Sequence, residues 1–375
     1  MSESRSASKS SAPRASSHRA LRLPRKRVPA VLSAVVAVIV SAGLVLWATA
    51  GGAVTPSTRH PATPAQSHAP AAQTDAEPFT VFSDPGHGVV RPRDVAVGSD
   101  GNLWFTAAND RVGRITPEGK ITLFSDPTGR LHGPDQIVSG PDGALWFTAV
   151  DGRIGRVTTD GQITTIVVGE HGASPLGLAV GPDGNLWYTT SNQIGRVTPT
   201  GEHVTFGGSP AGVVLPAYIT AGPDGNLWFT NLDSRIGRIT PSGQITTFDA
   251  TGADIAFPGD IVTGADGNLW FTSPGSNRVG RITPEGRIDS FDGAPAGAEE
   301  PSAITAGSDG NLWFTNSNDR IGRVSPDGQI TTYVPGRADV RTPFGITAGP
   351  DGNVWFTSLN NNGIGFIRPS LVEAG

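Results

Sequence analysis

From about residue 79 to its end the chain alternates apolar and polar positions in short bursts, four bursts to a unit, and the unit recurs seven times. The fourth copy shows the pattern. Ala217–Ala221 (AYITA) is a short alternating run and Pro223-Asp224-Gly225 a turn. Asn226–Thr230 (NLWFT) is rich in strand formers, and a variable loop, Asn231–Ser234, follows it. Arg235–Thr240 (RIGRIT) is a third run, Pro241-Ser242-Gly243 a second turn, and Gln244–Phe248 (QITTF) a fourth run. Runs of this length and composition between Gly, Pro and Asp predict strands. One tryptophan per copy sets the period: Trp104, Trp146, Trp187, Trp228, Trp270, Trp313 and Trp355 are separated by 42, 41, 41, 42, 43 and 42 residues. Four antiparallel strands in such a period make a propeller blade. The prediction is an all-β, seven-bladed β-propeller over residues 78–368, with a tail at 369–375.

The two ends of the repeat predict how the ring closes. The seventh copy stops after its third strand, Ile364–Ile367, while Phe79–Phe82 (FTVF) matches the fourth-strand phrase and precedes the first copy. The N-terminal strand is expected to complete the last blade and so remove an open sheet edge. Most of the repeat reads as scaffold. The Asp-Gly turns (Asp100, Asp142, Asp183, Asp224, Asp266, Asp309, Asp351) suit φ > 0 at glycine. The tryptophans read as blade-to-blade packing. The third-strand arginines (Arg114, Arg156, Arg196, Arg238, Arg281, Arg323), replaced in the seventh copy by Phe366, read as inter-blade ion pairs with the recurring aspartates.

Composition agrees: 50 glycines and 31 prolines serve a turn-rich β protein, and the absence of cysteine excludes disulfides and thiolate metal sites. Charge divides the chain. Residues 1–27 hold eight Lys/Arg and one acid, a net +7 that leaves −12 on the rest of a chain whose total is −5. An acidic body argues against nucleic acid as a partner. The basic, Ser-rich head is expected to be disordered and cytoplasmic. Residues 28–50 (VPAVLSAVVAVIVSAGLVLWATA) carry no charge; as a helix they would span about 34 Å, enough for a bilayer core of about 30 Å. The flanking bases predict a single-pass signal anchor with the propeller outside the cytoplasm. The alternative is a signal peptide cleaved near Ala50, giving a secreted protein. Residues 51–77, rich in Pro, Ala, Ser and Thr, read as an extended linker.

The phrase GPDGNLWFT…IGRITPxGxITxF resembles the virginiamycin B lyase (streptogramin lyase) family, within the wider group of NHL-like and gluconolactonase-like propellers. The resemblance covers about residues 79–367. It implies a seven-bladed propeller and, in lyases of the family, opening of cyclic depsipeptide antibiotics by metal-assisted elimination. A His acts as base there, and Glu residues hold Mg²⁺ on one face of the ring. In the family the catalytic His follows the proline that opens a first strand, in Glu-Pro-His-Gly. Here the phrase is Glu300-Pro301-Ser302-Ala303, so the Glu is kept and Ser302 replaces the His. A substrate-contacting His one blade earlier is replaced by Gly259, after Pro258. The second metal Glu, which follows Trp-Phe-Thr, is replaced by Asn316. A Ser hydroxyl lacks a base's pKa, and Mg²⁺ prefers carboxylate oxygens. Glu300 and Asn316 are thus the metal candidates, Mg²⁺ is the cofactor the resemblance implies, and no catalytic residue is assigned.

A different residue set marks a candidate binding face. His87, His132 and His171 fall in loops leading into the first strands of blades one to three, and those loops are expected to share a face with Arg93, Asp135, Glu170, Tyr218, Asn231, Gly259, Asp260 and Phe344. Residues that vary on a repeated frame are what a binding face requires. The leading expectation is a membrane-tethered, monomeric recognition propeller for a small molecule, a peptide, or an envelope glycan or protein. The alternative is a metal-dependent lyase or hydrolase for an exported small molecule such as a cyclic depsipeptide. A structural spacer is the third reading.

Overall fold

The computed structural model describes residues 77–83, 88–168, 174–208 and 211–372. It is a ring of seven four-stranded antiparallel sheets. Blade 4 is typical, with strands Pro216–Ala221, Leu227–Asn231, Arg235–Ile239 and Ile245–Asp249 from axis to rim. Each boundary lies within a residue of the one expected. Asn226 drops out of the second strand because its side-chain amide bonds Asp224 in the turn. Thr240 drops out of the third because its hydroxyl accepts from the Gln244 N–H.

Closure follows the sequence expectation. Strand Phe79–Ser83 pairs antiparallel with Gly363–Ile367, Phe79 opposite Ile367 and Ser83 opposite Gly363. The seventh sheet is therefore finished by the N-terminus. The basic head, the apolar stretch 28–50 and the linker up to residue 76 lie outside the described residues. Among the described residues no helix is long and apolar enough to cross a membrane.

The core lies between blades. All seven repeat tryptophans are fully buried. Trp104 joins Ile137, Leu145 and Phe147 of blade 2, Trp228 joins Ile261 and Phe271 of blade 5, and Trp355 of the last blade joins Leu103 and Phe105 of the first. This packing bears out the structural reading of the tryptophans. Each indole N–H donates to the aspartate four residues earlier, as Trp228 does to Asp224 at 3.0 Å. A fourth-strand aromatic stacks on most of them, with ring centroids 5.2 Å apart for Trp104 and Phe124 and 5.5 Å for Trp228 and Phe248.

The arginine–aspartate pairs correct one expectation. They form within a blade: Arg114–Asp100, Arg156–Asp142, Arg196–Asp183 and Arg238–Asp224. Strand register dictates this address, because Arg238 sits opposite Trp228, whose indole is tied to Asp224. The guanidinium lies over its own tryptophan, 5.5 Å from the ring centroid for Arg238, a favourable cation–π distance. Contact with the next blade goes instead to a backbone carbonyl: Arg114 donates to Thr159, Arg196 to Pro241, Arg238 to Pro284 and Arg281 to Pro326.

Two more repeated devices register the blades around the axis. The buried threonine of Trp-Phe-Thr accepts from its own first strand and donates to the first strand of the next blade. Thr106 takes the Asp94 N–H and gives to the Asp135 carbonyl; Thr357 takes the Gly345 N–H and gives to the Arg93 carbonyl, across the closure. At the rim of the mouth, the residue before the first-strand proline has positive φ at Arg91, Gly133, Leu215, Phe257, Glu300 and Thr342. Its N–H is caught by the Asx residue of the preceding blade's hairpin: Asp110 accepts from Gly133, Asn277 from Glu300, Asp319 from Thr342 and Asn362 from Arg91.

Candidate functional site

The chain crosses from each blade to the next on one face of the ring, and just inside the axial mouth of that face lies a narrow well. Its volume is about 60 Å³, room for a few waters or the tip of a side chain. The walls are the first strands of the blades. Asp94, Asp135, Tyr218, Asp260, Ser302 and Phe344 all line it. Arg93 stands beside it and donates to Asp135 at 3.1 Å.

A strand normally sends successive side chains to opposite faces. Asp135 and Gln136 are sequence neighbours and both line the well, as do Ala217 with Tyr218 and Ser302 with Ala303. The cause in blades 1, 2, 4 and 7 is a register shift after the opening proline, for example between Pro216 and Ile219. Such a bulge turns both residues away from regular alternation.

The carboxylates are tied into the frame. Asp94 accepts the N–H of Val95 in its own blade and of Ile137 in the next, both at 2.9 Å. Asp260 does the same with Ile261 and Ile304, and Gln136 reaches the Leu178 N–H of blade 3. Where the side chain is absent the backbones close up instead: a Cβ on Gly177 would lie 2.6 Å from the Ala217 carbonyl oxygen, so glycine is required there. Burial pushes the Asp94 carboxyl up to about 8; the N–H bonds from Ile137 and Val95 oppose the shift, and the charges of Asp260 and Asp135 add to it. Burial likewise raises Asp260 to about 7 against its two backbone bonds. Asp135 is raised by burial and held back by Arg93. The Tyr218 hydroxyl is pushed far up by burial and by these neighbouring carboxylates.

Of the residues expected on the binding face, the structure gathers Arg93, Asp135, Tyr218, Asp260 and Phe344 around the well, together with Ser302. Gly259 packs beside Thr272 and the Ser302 carbonyl, at the edge of the group. His132 is exposed in its crossover loop, its Nδ1 3.7 Å from Asp110. Asn231 is displaced from the expected face: it is fully buried, accepting from the Val214 N–H and donating to the Gly212 carbonyl. His87, Glu170 and His171 lie outside the described residues. Asp94 and Gln136 were missed by sequence reasoning; a second residue after the proline that is polar in two neighbouring blades was the available signal.

The residues present do not fit the family's Mg²⁺. Asn316 is fully buried and its amide is spent on its own loop, accepting from the Glu299 N–H and donating to the Arg320 carbonyl. Asn231, Ser273 and Ser358 hold their loops from the corresponding position. Glu300 is exposed on the crossover loop, its N–H held by Asn277, and it does not line the well. Among the described residues no three His, Cys, Asp or Glu side chains are grouped to hold a metal ion.

Fold and site define a seven-bladed propeller with a polar axial well. The chain belongs to the virginiamycin B lyase family, whose model matches residues 63–209 and 192–371. Among solved structures it is similar to a catalytically inactive His-to-Ala variant of virginiamycin B lyase from Staphylococcus aureus with quinupristin. Identity is 32%, covering 77% of this chain and 99% of that one, with a TM-score of 0.70. A streptogramin B lyase structure is 31% identical, covering 77% and 97% of the two chains, with a TM-score of 0.68. No curated protein matches the chain.

Proposed function

We propose that this protein is a recognition propeller held outside the cytoplasm by the apolar stretch 28–50, and that it binds a small molecule, peptide or envelope glycan across the axial mouth, with one group of the ligand reaching into the well, without running the family's elimination. One observation carries the reading: the well presents Arg93, Asp135, Tyr218 and Phe344, while Ser302 stands where the family's base belongs. A guanidinium paired in a low-dielectric wall, with aromatic neighbours, suits ligand recognition more than proton abstraction. The quinupristin seen with the Staphylococcus aureus protein is the first ligand to try. In calorimetry with the full chain, Arg93→Ala and Tyr218→Ala are expected to weaken ligand binding at least tenfold, and Glu300→Gln to leave it unchanged. The expected mass-spectrometric result is intact quinupristin after incubation with Mg²⁺. Ring opening that needs Mg²⁺ and disappears in Glu300→Gln would overturn the proposal.

The lyase reading keeps one specific support: a carboxyl raised to about 7, that of Asp260, beside Tyr218. A group titrating near neutral pH in a cleft is a candidate base. Metal-independent turnover lost in Asp260→Asn would establish it. Membrane tethering is tested separately: carbonate-washed membranes should retain the full chain, whereas cleavage near Ala50 would release the propeller.

A further inference from the structure

The lining of the axial well is one-sided in charge. Among the described residues, blades 1, 2 and 5 contribute Asp94, Asp135 and Asp260, and blade 4 contributes Tyr218. Blades 3, 6 and 7 add only uncharged groups, Leu176, Ser302 and Phe344 among them. Arg93 stands beside the well, and its charge is matched by Asp135 at 3.1 Å. Asp94 and Asp260 face the well with no cation beside them among the described residues; backbone N–H groups alone hold them. Buried carboxylates ordinarily have a counter-charge.

The same wall holds acceptors that nothing uses. In Asp94 and Asp260 each carboxyl oxygen takes one backbone N–H and keeps a lone pair. The Tyr218 hydroxyl has no partner among the described residues; that residue bonds Thr230 through its N–H. The three side chains are neighbours, since the charge of Asp260 acts on both Asp94 and Tyr218. Three open acceptors match the three N–H donors of an ammonium group. An anion would be repelled here, and a sugar ring is too large for about 60 Å³. The Tyr218 and Phe344 rings in the wall also favour a cation.

We propose that the ligand group entering the well is a primary ammonium on an aliphatic arm, like the end of a lysine side chain, received by Asp94, Asp260 and Tyr218. The inference rests on the mouth being a recognition site, where Arg93 serves the part of the ligand left outside the well. Binding then carries a protonic signature. Burial raises the two carboxyls to about 8 and about 7, whereas an alkylammonium keeps its charge up to about pH 10. The arriving cation drives the carboxyls to ionise, so protons are released and affinity rises between about pH 6 and about pH 8.

Calorimetry on the full chain tests this with capped Ala-Lys-Ala, the same peptide acetylated on the lysine amine, and butylamine. At about pH 7.5 the lysine peptide is expected to bind at least tenfold more tightly than its acetylated form, because only the free amine carries charge. Proton release should appear as a heat that varies with the ionisation enthalpy of the buffer. Asp260→Asn is expected to abolish the preference and leave the acetylated peptide unaffected. Butylamine binding as tightly as the peptide would place the ammonium on a small molecule, and weaker binding on a peptide. Equal affinity for the two peptides, or no binding by either amine, would overturn the inference, while quinupristin binding would still uphold the recognition reading. Ca²⁺ or K⁺ that displaced the lysine peptide, and failed to bind Asp260→Asn, would give the well to an inorganic cation and overturn it as well.

Discussion

The protein contains two rings of aspartates on one frame, and they behave oppositely. The turn aspartates Asp100, Asp142, Asp183, Asp224 and Asp266 are partly buried, yet hydrogen bonds from the tryptophan and its neighbours, Trp228 and Asn226 in blade 4, outweigh that burial and lower the carboxyl. The axial aspartates Asp94 and Asp260 accept two backbone bonds apiece, but burial outweighs them and the carboxyl rises. Residue type does not decide the chemistry. What decides it is whether donors arrive faster than water leaves. The turn ring uses its charge to hold the fold; the axial aspartates face the well with carboxyls that burial makes harder to ionise.

The comparison can be broken most severely through the tryptophans on which the turn ring closes. Trp228→Ala should cost about 3–5 kcal/mol, read as a fall in the urea midpoint, because a large core side chain leaves a cavity. Asp224→Ala should cost about 1–3 kcal/mol by leaving the indole N–H and Arg238 without their acceptor. Its pH signature follows from a lowered carboxyl: the stabilisation is present above the unfolded value of 3.8 and is lost as pH falls through the lower folded value. Asp94 should show the reverse. Its carboxyl is raised to about 8, so its contribution is full below 3.8 and is lost as pH rises towards 8. Asp94→Asn should therefore cost about 1–2 kcal/mol at pH 5, where a backbone N–H loses its partner, and less at pH 9. A cost that grew with pH would refute the raised carboxyl. Smallest is Glu300→Gln, expected within about 0.5 kcal/mol in the same melts, as for an exposed side chain without a bonded partner.

Much of this was legible in the sequence. The period, the four runs per copy and the orphan strand Phe79–Phe82 led to the ring and its closure, because each signal is local and repeats seven times. The ion pairs of Arg114, Arg156, Arg196 and Arg238 were read with the right kind of partner and the wrong address, and Arg281 pairs instead with Asp289 of its fourth strand. Asp224 stands at a fixed distance from arginines in two blades, and only the pairing of Trp228 with Arg238 selects one. The axial residues Arg93, Asp135, Tyr218, Asp260 and Phe344 could be found because a proline marks where each first strand begins. Asp94 and Gln136 were passed over, since a period of two sends them away from the axis; only their being polar in two neighbouring blades hinted at the bulge that turns them back. Asn231 misled for the opposite reason: it looks like a loop residue but turns inward to hold Val214.

The N-terminal strand that finishes blade 7 also sets an order in time. Its partner, Gly363–Ile367, is the last strand among the described residues. Six blades can form their own hairpins as they emerge, since those contacts are local and quick to reach. The first strand must wait, unpaired, while the six blades between are made, and the ring locks only when Gly363–Ile367 has been made. The last step of assembly thus acts as a proofreading event for the full-length chain: a product truncated before residue 363 would keep its blades but never close.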